Sequence, residues 1–200
     1  MTQTYTIQDF LMTKSSAYPA LSHDMSKIVF TSNIKGETFQ LYCTDVVGSE
    51  VKQLTDMSEP VMDFKLSPTN NQLIFLKDDK GNENYQIHLL HIDSGVVKPL
   101  IEKPQVKYMS VSWSPDGDMI TYSSNERNGK DFDIYIKNIE TGTEECICDK
   151  GGYMINTGFS PKGNYCVFVK ENSNVDKELF LYNTQTKELI EITKREQGKE

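Results

Sequence analysis

Short apolar bursts recur along this chain at nearly constant intervals, each behind a serine-led turn. Aligned on Ser22, Ser67, Ser114 and Ser160, the units are spaced by 45, 47 and 46 residues. The residue after each serine is His23, Pro68, Pro115 or Pro161, and eight past it stands Phe30, Phe75, Tyr122 or Phe168. Two before that aromatic come Ile28, Leu73, Ile120 and Cys166. A second apolar or aromatic position follows at Tyr42, Ile87, Tyr135 and Tyr182, and Gly48, Gly95 and Gly142 mark a later turn. Each unit closes on Leu54-Thr55, Leu100-Ile101, Ile147-Cys148 or Ile192-Thr193. So many offsets kept through four units identify an internal repeat.

Each unit reads as four short strands. In the third they are predicted over Tyr108–Trp113, Asp118–Ser124, Asp131–Ile139 and Thr143–Cys148, separated by Pro-Asp-Gly, Asn-Gly-Lys and Glu-Thr-Gly turns. Second strands such as Leu73-Ile74-Phe75 are apolar on both faces, as a strand covered on both sides must be. Outer strands such as Glu50–Leu54 are more polar. Four antiparallel strands every 46 residues or so, dry inside and wet outside, describe blades of a β-propeller. The predicted fold is therefore all-β, with blades at 18–56, 61–102, 108–149 and 154–194. A lead-in of residues 1–17 precedes them and a polar tail, 195–200, follows. Ile7–Lys14 is predicted to make one or two helical turns.

Composition narrows the partners. A formal net charge of -8 argues against nucleic acid, whose phosphates need clustered Lys and Arg. No apolar run reaches the roughly 18 residues of a membrane helix. The first residues lack a basic start and an apolar stretch, so no secretory signal is expected. Cys43, Cys146, Cys148 and Cys166 show neither disulfide-scaffold nor zinc spacing and are expected to be reduced, packed thiols in a cytoplasm. Cys146 and Cys148, two apart, are expected to share a strand face.

Ser114-Pro115-Asp116-Gly117 with its following strands resembles the TolB-type propeller repeat, and Ser160-Pro161-Lys162-Gly163 is a close second copy. Ser67-Pro68-Thr69-Asn70 and Ser22-His23-Asp24-Met25 depart further. The start of the chain, with Asp9-Phe10-Leu11 leading to Pro19 and Ser22, resembles propellers of the prolyl oligopeptidase family. That resemblance implies about seven blades packed over an α/β-hydrolase domain with a Ser-Asp-His triad, the propeller restricting which short peptides reach the site. A stand-alone TolB-like propeller that scaffolds a protein or peptide partner without catalysis is the alternative.

The catalytic half is not in these residues. A nucleophile elbow needs G-x-S-x-G, and the one Gly with Ser two places on, Gly158-Phe159-Ser160, continues to Lys162. His88 and His91 lie three apart on a predicted strand and point to opposite faces, so they cannot share a metal. Asp78–Glu83 lacks the spacing of a calcium loop and falls at a hairpin turn. Glu144-Glu145 looks like the glutamate pair that holds a substrate amino terminus in some dipeptidyl peptidases, but sits in an outer hairpin as an edge charge. No catalytic residue, cofactor or metal ligand is assigned. The expectation is an N-terminal portion of a longer protein, its hydrolase domain in cis and a peptide as the parent's substrate. Asp63, Lys65, Tyr108 and Asn156, on predicted first strands, are the candidate channel-lining residues. An arc of four blades that does not close would leave apolar faces bare at its ends and self-associate.

Overall fold

The computed structural model describes residues 6–193, with Phe10 and Leu11 described by backbone alone. The tail 195–200 and the first five residues of the lead-in lie outside the described residues. The lead-in holds one short helix, α1 (Ile7–Leu11). It ends earlier than predicted. Thr6 and Asp9 cap its start reciprocally: the Thr6 backbone N–H donates to Asp9 Oδ2 at 2.7 Å, and the Asp9 N–H to Thr6 Oγ1 at 3.3 Å.

All else that is regular is strand. The first blade comprises β1 (Ser16–Leu21), β2 (Lys27–Ser32), β3 (Gln40–Asp45) and β4 (Lys52–Gln53). The second comprises β5 (Asp63–Leu66), β6 (Gln72–Lys77), β7 (Gln86–His91) and β8 (Val96–Ile101). The third comprises β9 (Tyr108–Trp113), β10 (Met119–Ser124), β11 (Asp133–Asn138) and β12 (Glu144–Cys148). The fourth comprises β13 (Tyr153–Phe159), β14 (Tyr165–Ser173), β15 (Asp176–Asn183) and β16 (Leu189–Glu191). Each is a separate sheet whose strands pair antiparallel in chain order, the meander of a propeller blade.

The repeat serine shapes the first turn of each blade. Ser114 is buried, and its hydroxyl accepts the Met119 N–H at 2.9 Å and donates to Asp116. Gly117, at φ 75°, donates its N–H to the Ser114 carbonyl at 2.9 Å, in a conformation that suits glycine. The same hydroxyl-to-strand bond recurs at Ser22 with Lys27 (3.0 Å) and at Ser160 with Tyr165 (3.1 Å). The serines recur because they close the turn.

The core lies in the seams between adjacent blades. Val29, Leu41 and Cys43 of the first blade meet Phe64, Leu73, Phe75 and Leu90 of the second. Ile74, Leu76, Ile87 and Leu89 of the second then meet Tyr108, Val111, Ile120 and Tyr122 of the third. Ile134, Ile136 and Ile147 meet Met154, Phe168, Phe180 and Tyr182 across the last seam. Each large side chain buried this way contributes roughly 2 kcal/mol.

Two expectations about strand faces are corrected. A stacked aromatic pair recurs on second and third strands as Phe30–Tyr42, Phe75–His88, Tyr122–Tyr135 and Phe168–Phe180, with centroids 5.2 to 6.1 Å apart. His88 and Phe180 thus hold the repeat position, in place of Ile87 and Tyr182. Ile87 is one residue away, so it faces the other way and packs towards the third blade. Tyr182 pairs with Cys166. The second correction concerns Cys146 and Cys148. A register shift pairs Cys146 with Tyr135 but Cys148 with Ile134, so the two thiols lie on opposite faces, one exposed and one buried. All four cysteines are free.

The last blade ends on an uncovered face. Val167 pairs with Leu181 and Val169 with Leu179, as Ile74 pairs with Leu89 and Leu76 with Ile87 in the second blade. There the third blade covers all four, leaving Ile87 at 0% exposure, whereas Leu179 is 38% exposed. Ile155 and Ile190 extend the same face through their pairing with Val169 and Leu181.

Candidate functional site at the first strands of the blades

The four candidate residues fall on first strands, and two of them share one repeat position. Four residues before each repeat serine stand Tyr18, Asp63, Ser110 and Asn156. The strand is irregular there. Register shifts interrupt β1 between Ala17 and Ala20, β9 opposite Thr121 to Ser123, and β13 between Asn156 and Gly158. Tyr18 and Ser110 take φ values of 53° and 54°, and Gly158 takes 116°. Bulges of this kind bend a strand and re-aim its side chains, so simple alternation along the sequence misplaces them.

Asn156 is 5% exposed and stitches the third blade to the fourth. Its Nδ2 donates to the Ser110 carbonyl and to Ser112 Oγ, both at 2.6 Å. Its Oδ1 accepts from Thr121 Oγ1 at 3.0 Å and from the Gly158 N–H at 3.2 Å. The side chain thereby holds the carbonyl of a residue in left-handed conformation. Tyr108 exposes none of its surface; it packs edge-on against Tyr122 at 5.6 Å in the seam between second and third blades. Burial, and next the Glu126 charge, push its hydroxyl pKa upward. Both residues were read as facing an open channel. Their bulged or seam-facing strands bury them instead; the Asn156 amide is bonded at both ends, and the buried Tyr108 hydroxyl has no hydrogen-bond partner among the described residues.

Asp63 and Lys65 are different. They lie two apart on β5, about half exposed, with Lys65 Nζ 3.1 Å from Asp63 Oδ1. That oxygen also accepts the Phe64 N–H at 2.8 Å, which fixes the carboxylate. Oδ2 takes no hydrogen bond among the described residues. A groove of about 350 Å³ is lined by Tyr18, Ala20, Thr31, Met62, Asp63 and Lys65 at the junction of the first and second blades. A second, of about 340 Å³, runs over the serine turns and is lined by Lys65, Leu66, Ser112, Trp113, Phe159 and the repeat prolines. Lys65 and Leu66 belong to both. Trp113, which the pattern alone did not single out, donates its indole N–H to the Lys65 carbonyl at 2.9 Å and ties the third blade to the second.

The remaining candidates are held by local structure. His88 is buried on Phe75, its Nδ1 3.3 Å from the Gln86 carbonyl, and desolvation lowers its pKa. His91 lies 3.3 Å from the Gln72 amide. Glu144 pairs with Lys137 at 3.2 Å and Glu145 with Lys187 at 3.0 Å, so the two carboxylates diverge. Asp78 closes its hairpin by accepting the Glu83 N–H at 2.9 Å. Among the described residues, no three His, Cys, Asp or Glu side chains gather as metal ligands would.

Residues 50–200 match the family model for the prolyl oligopeptidase N-terminal β-propeller domain. The chain belongs to that family. Its fold is also similar to a solved prolyl endopeptidase, with a TM-score of 0.76 at 15% identity over 92% of this chain and 30% of that one. A Mycobacterium tuberculosis puromycin-hydrolyzing peptidase aligns at TM-score 0.68 and 12% identity, over 88% of this chain and 28% of that one. TolB from Acinetobacter baumannii aligns at 0.65 and 19%, over 90% of this chain and 44% of that one. The chain thus spans less than half of each of these three structures, and the likeness at such identities is one of fold.

Proposed function

We propose that this chain is the substrate-restricting propeller portion of a cytoplasmic serine peptidase of the prolyl oligopeptidase family. The match of residues 50–200 to the family's propeller domain carries the reading. The sequence supports it from the other side, because its 200 residues contain no nucleophile elbow. In this reading an α/β-hydrolase domain in the same polypeptide supplies the Ser-Asp-His triad. The blades act by exclusion. Their seams are packed with large apolar side chains and stitched by Asn156 and Trp113, so a folded protein cannot pass between them. A short, extended peptide is narrow enough to pass along the first strands.

The test is selectivity in the whole gene product. One scissile sequence is presented as a short free peptide and again within a surface loop of a folded protein. The short peptide is expected to be cleaved and the folded protein spared, with a serine-directed inhibitor abolishing cleavage. Equal rates on both substrates would overturn the restricting role. A product without hydrolytic activity would favour the TolB-like scaffold, to which the fold is also similar.

A further inference from the structure

We infer that Asn128 is a site of self-modification: attack by the Gly129 backbone converts it to aspartate or isoaspartate, and the new carboxylate loosens the join between the third and fourth blades. The inference stands apart from the peptidase reading. It rests on the hairpin between β10 and β11.

The sequence singles out the residue. Among the asparagines of the chain, only Asn128 precedes a glycine. A glycine leaves its backbone nitrogen open to the preceding side chain, because it carries no Cβ. Asn128 and Gly129 are both exposed, and nothing lies within 4 Å of where a Gly129 Cβ would project.

The fold then activates the amide. Asn128 Oδ1 accepts the N–H of Lys130 at 3.0 Å and that of Asp131 at 2.8 Å. Two donors on one carbonyl oxygen polarise Cγ and stabilise the negative charge that forms on Oδ1 as a nucleophile adds. The Gly129 nitrogen gives its proton to water and bonds to Asn128 Cγ. The Cγ–Nδ2 bond breaks, Nδ2 takes a proton from water, and ammonia leaves a five-membered succinimide. Water opens that ring at either carbonyl, giving aspartate or isoaspartate. One water is consumed and one ammonia released, with no change of oxidation state. The Gly129 N–H must first leave the Asn125 carbonyl, which it meets at 2.7 Å. Opening of the hairpin therefore sets the pace.

The product forms at a joint. Asn128 Nδ2 donates to Asp131 Oδ2 at 2.9 Å, and Asp131 Oδ1 accepts the Gly152 N–H at 3.1 Å. The bonds from Asn128 and then Gly152 hold the Asp131 carboxyl below the usual carboxylate range. Next to it, the Phe132 N–H donates to the Gly152 carbonyl at 2.8 Å, and the Met154 N–H to the Phe132 carbonyl at 3.2 Å. Asp131 thus steadies the only parallel bridge among the described residues, Phe132 with Tyr153, which joins the third blade to the fourth. Conversion turns its donor into a carboxylate, so that two like charges face each other. Arg127 Nη2 lies 3.5 Å from Asp131 Oδ2, but its guanidinium is committed to buried Asp133 by bonds of 2.6 and 3.0 Å. Isoaspartate adds a methylene to the main chain as well, which shifts the hairpin directly.

The experiment holds the 200-residue chain at pH 8 for days beside a free peptide of residues 124–132. Mass spectrometry of digests reads the site, and isoaspartate methyltransferase labelling reads the isomer. Asn128 is expected to convert ahead of every other asparagine, with one ammonia released per converted chain. The converted fraction, separated by anion exchange, is expected to show amide exchange at Phe132 and Met154 about tenfold faster, the equivalent of one charge-assisted bond. Asn128→Asp is expected to show that faster exchange at once, and Asn128→Ser to lose the fast phase of ammonia release. Asn128 intact after the free peptide has converted overturns the inference, because the hairpin then shields the amide. Conversion with unchanged exchange at Phe132 and Met154 overturns it too, by removing the effect on the joint. The incubation needs no variant, so it decides even if a substitution impairs folding.

Discussion

Replacing Asn156 by Ala removes a side chain that serves two blades at once. The variant loses the bonds to the Ser110 carbonyl, to Ser112 Oγ, to Thr121 Oγ1 and to the Gly158 N–H, all near 3 Å or shorter save the last at 3.2 Å. Thr121 and Ser112 can still bond each other, 3.3 Å apart, which recovers part of the loss. Each unreplaced bond is worth about 1 kcal/mol, and a buried carbonyl left bare costs somewhat more. The loss is therefore about 3 kcal/mol. With a urea dependence of about 2 kcal/mol per molar, the midpoint falls by about 1.5 M. Native-state hydrogen exchange is expected to place the new openings at β9 and β13. Thr157→Ala is the control: Thr157 is exposed and bonds within its own blade, to the Val167 carbonyl at 2.6 Å. It is expected to cost under about 1 kcal/mol. A loss below about 1 kcal/mol for Asn156→Ala, or exchange unchanged at the seam, would refute the stitching role.

Two further outcomes follow from the seams. Burial lowers the His88 pKa, so the unfolded chain binds the proton more readily. Stability from neutral His88 is intact above the ordinary His value of about 6.5 and is lost as pH falls from there towards the lowered folded value. His88→Phe keeps the aromatic stack and lacks that loss, so its advantage in urea midpoint is expected to grow between pH 8 and pH 5.5; parallel pH profiles would contradict it. The bare face around Leu179 and Leu181 is expected to bind a hydrophobic dye and to drive self-association, and Leu179→Lys to reduce both. A monomer by light scattering that binds no dye would contradict this.

The blades were legible because turn chemistry and burial both repeat. The serines bond backbone in each turn, and the apolar residues of the second strands fill the seams between adjacent blades. What the pattern hid was parity. A single-residue slip places His88 rather than Ile87 in the aromatic stack, and a bulge beside Ile147 separates two cysteines that spacing had put together. Candidate site residues were half legible for the same reason. Asp63 and Lys65 lie on a strand paired in regular register and are exposed together. Asn156 shares Asp63's repeat position, but its strand bulges and turns the amide into a seam. Its partners lie 33 or more residues away, with the exception of Gly158, and no local signal encodes them. Trp113 likewise shows its indole bond to Lys65 only once two blades are side by side.

The most direct test of the central claim, that these blades serve a catalytic domain and do no chemistry themselves, is a hydrolysis assay. The 200-residue chain and the whole gene product are each given a chromogenic short peptide, with and without a serine-directed inhibitor. The expected result is turnover by the whole product alone, lost on inhibition. Inhibitor-sensitive turnover by the 200-residue chain would contradict it.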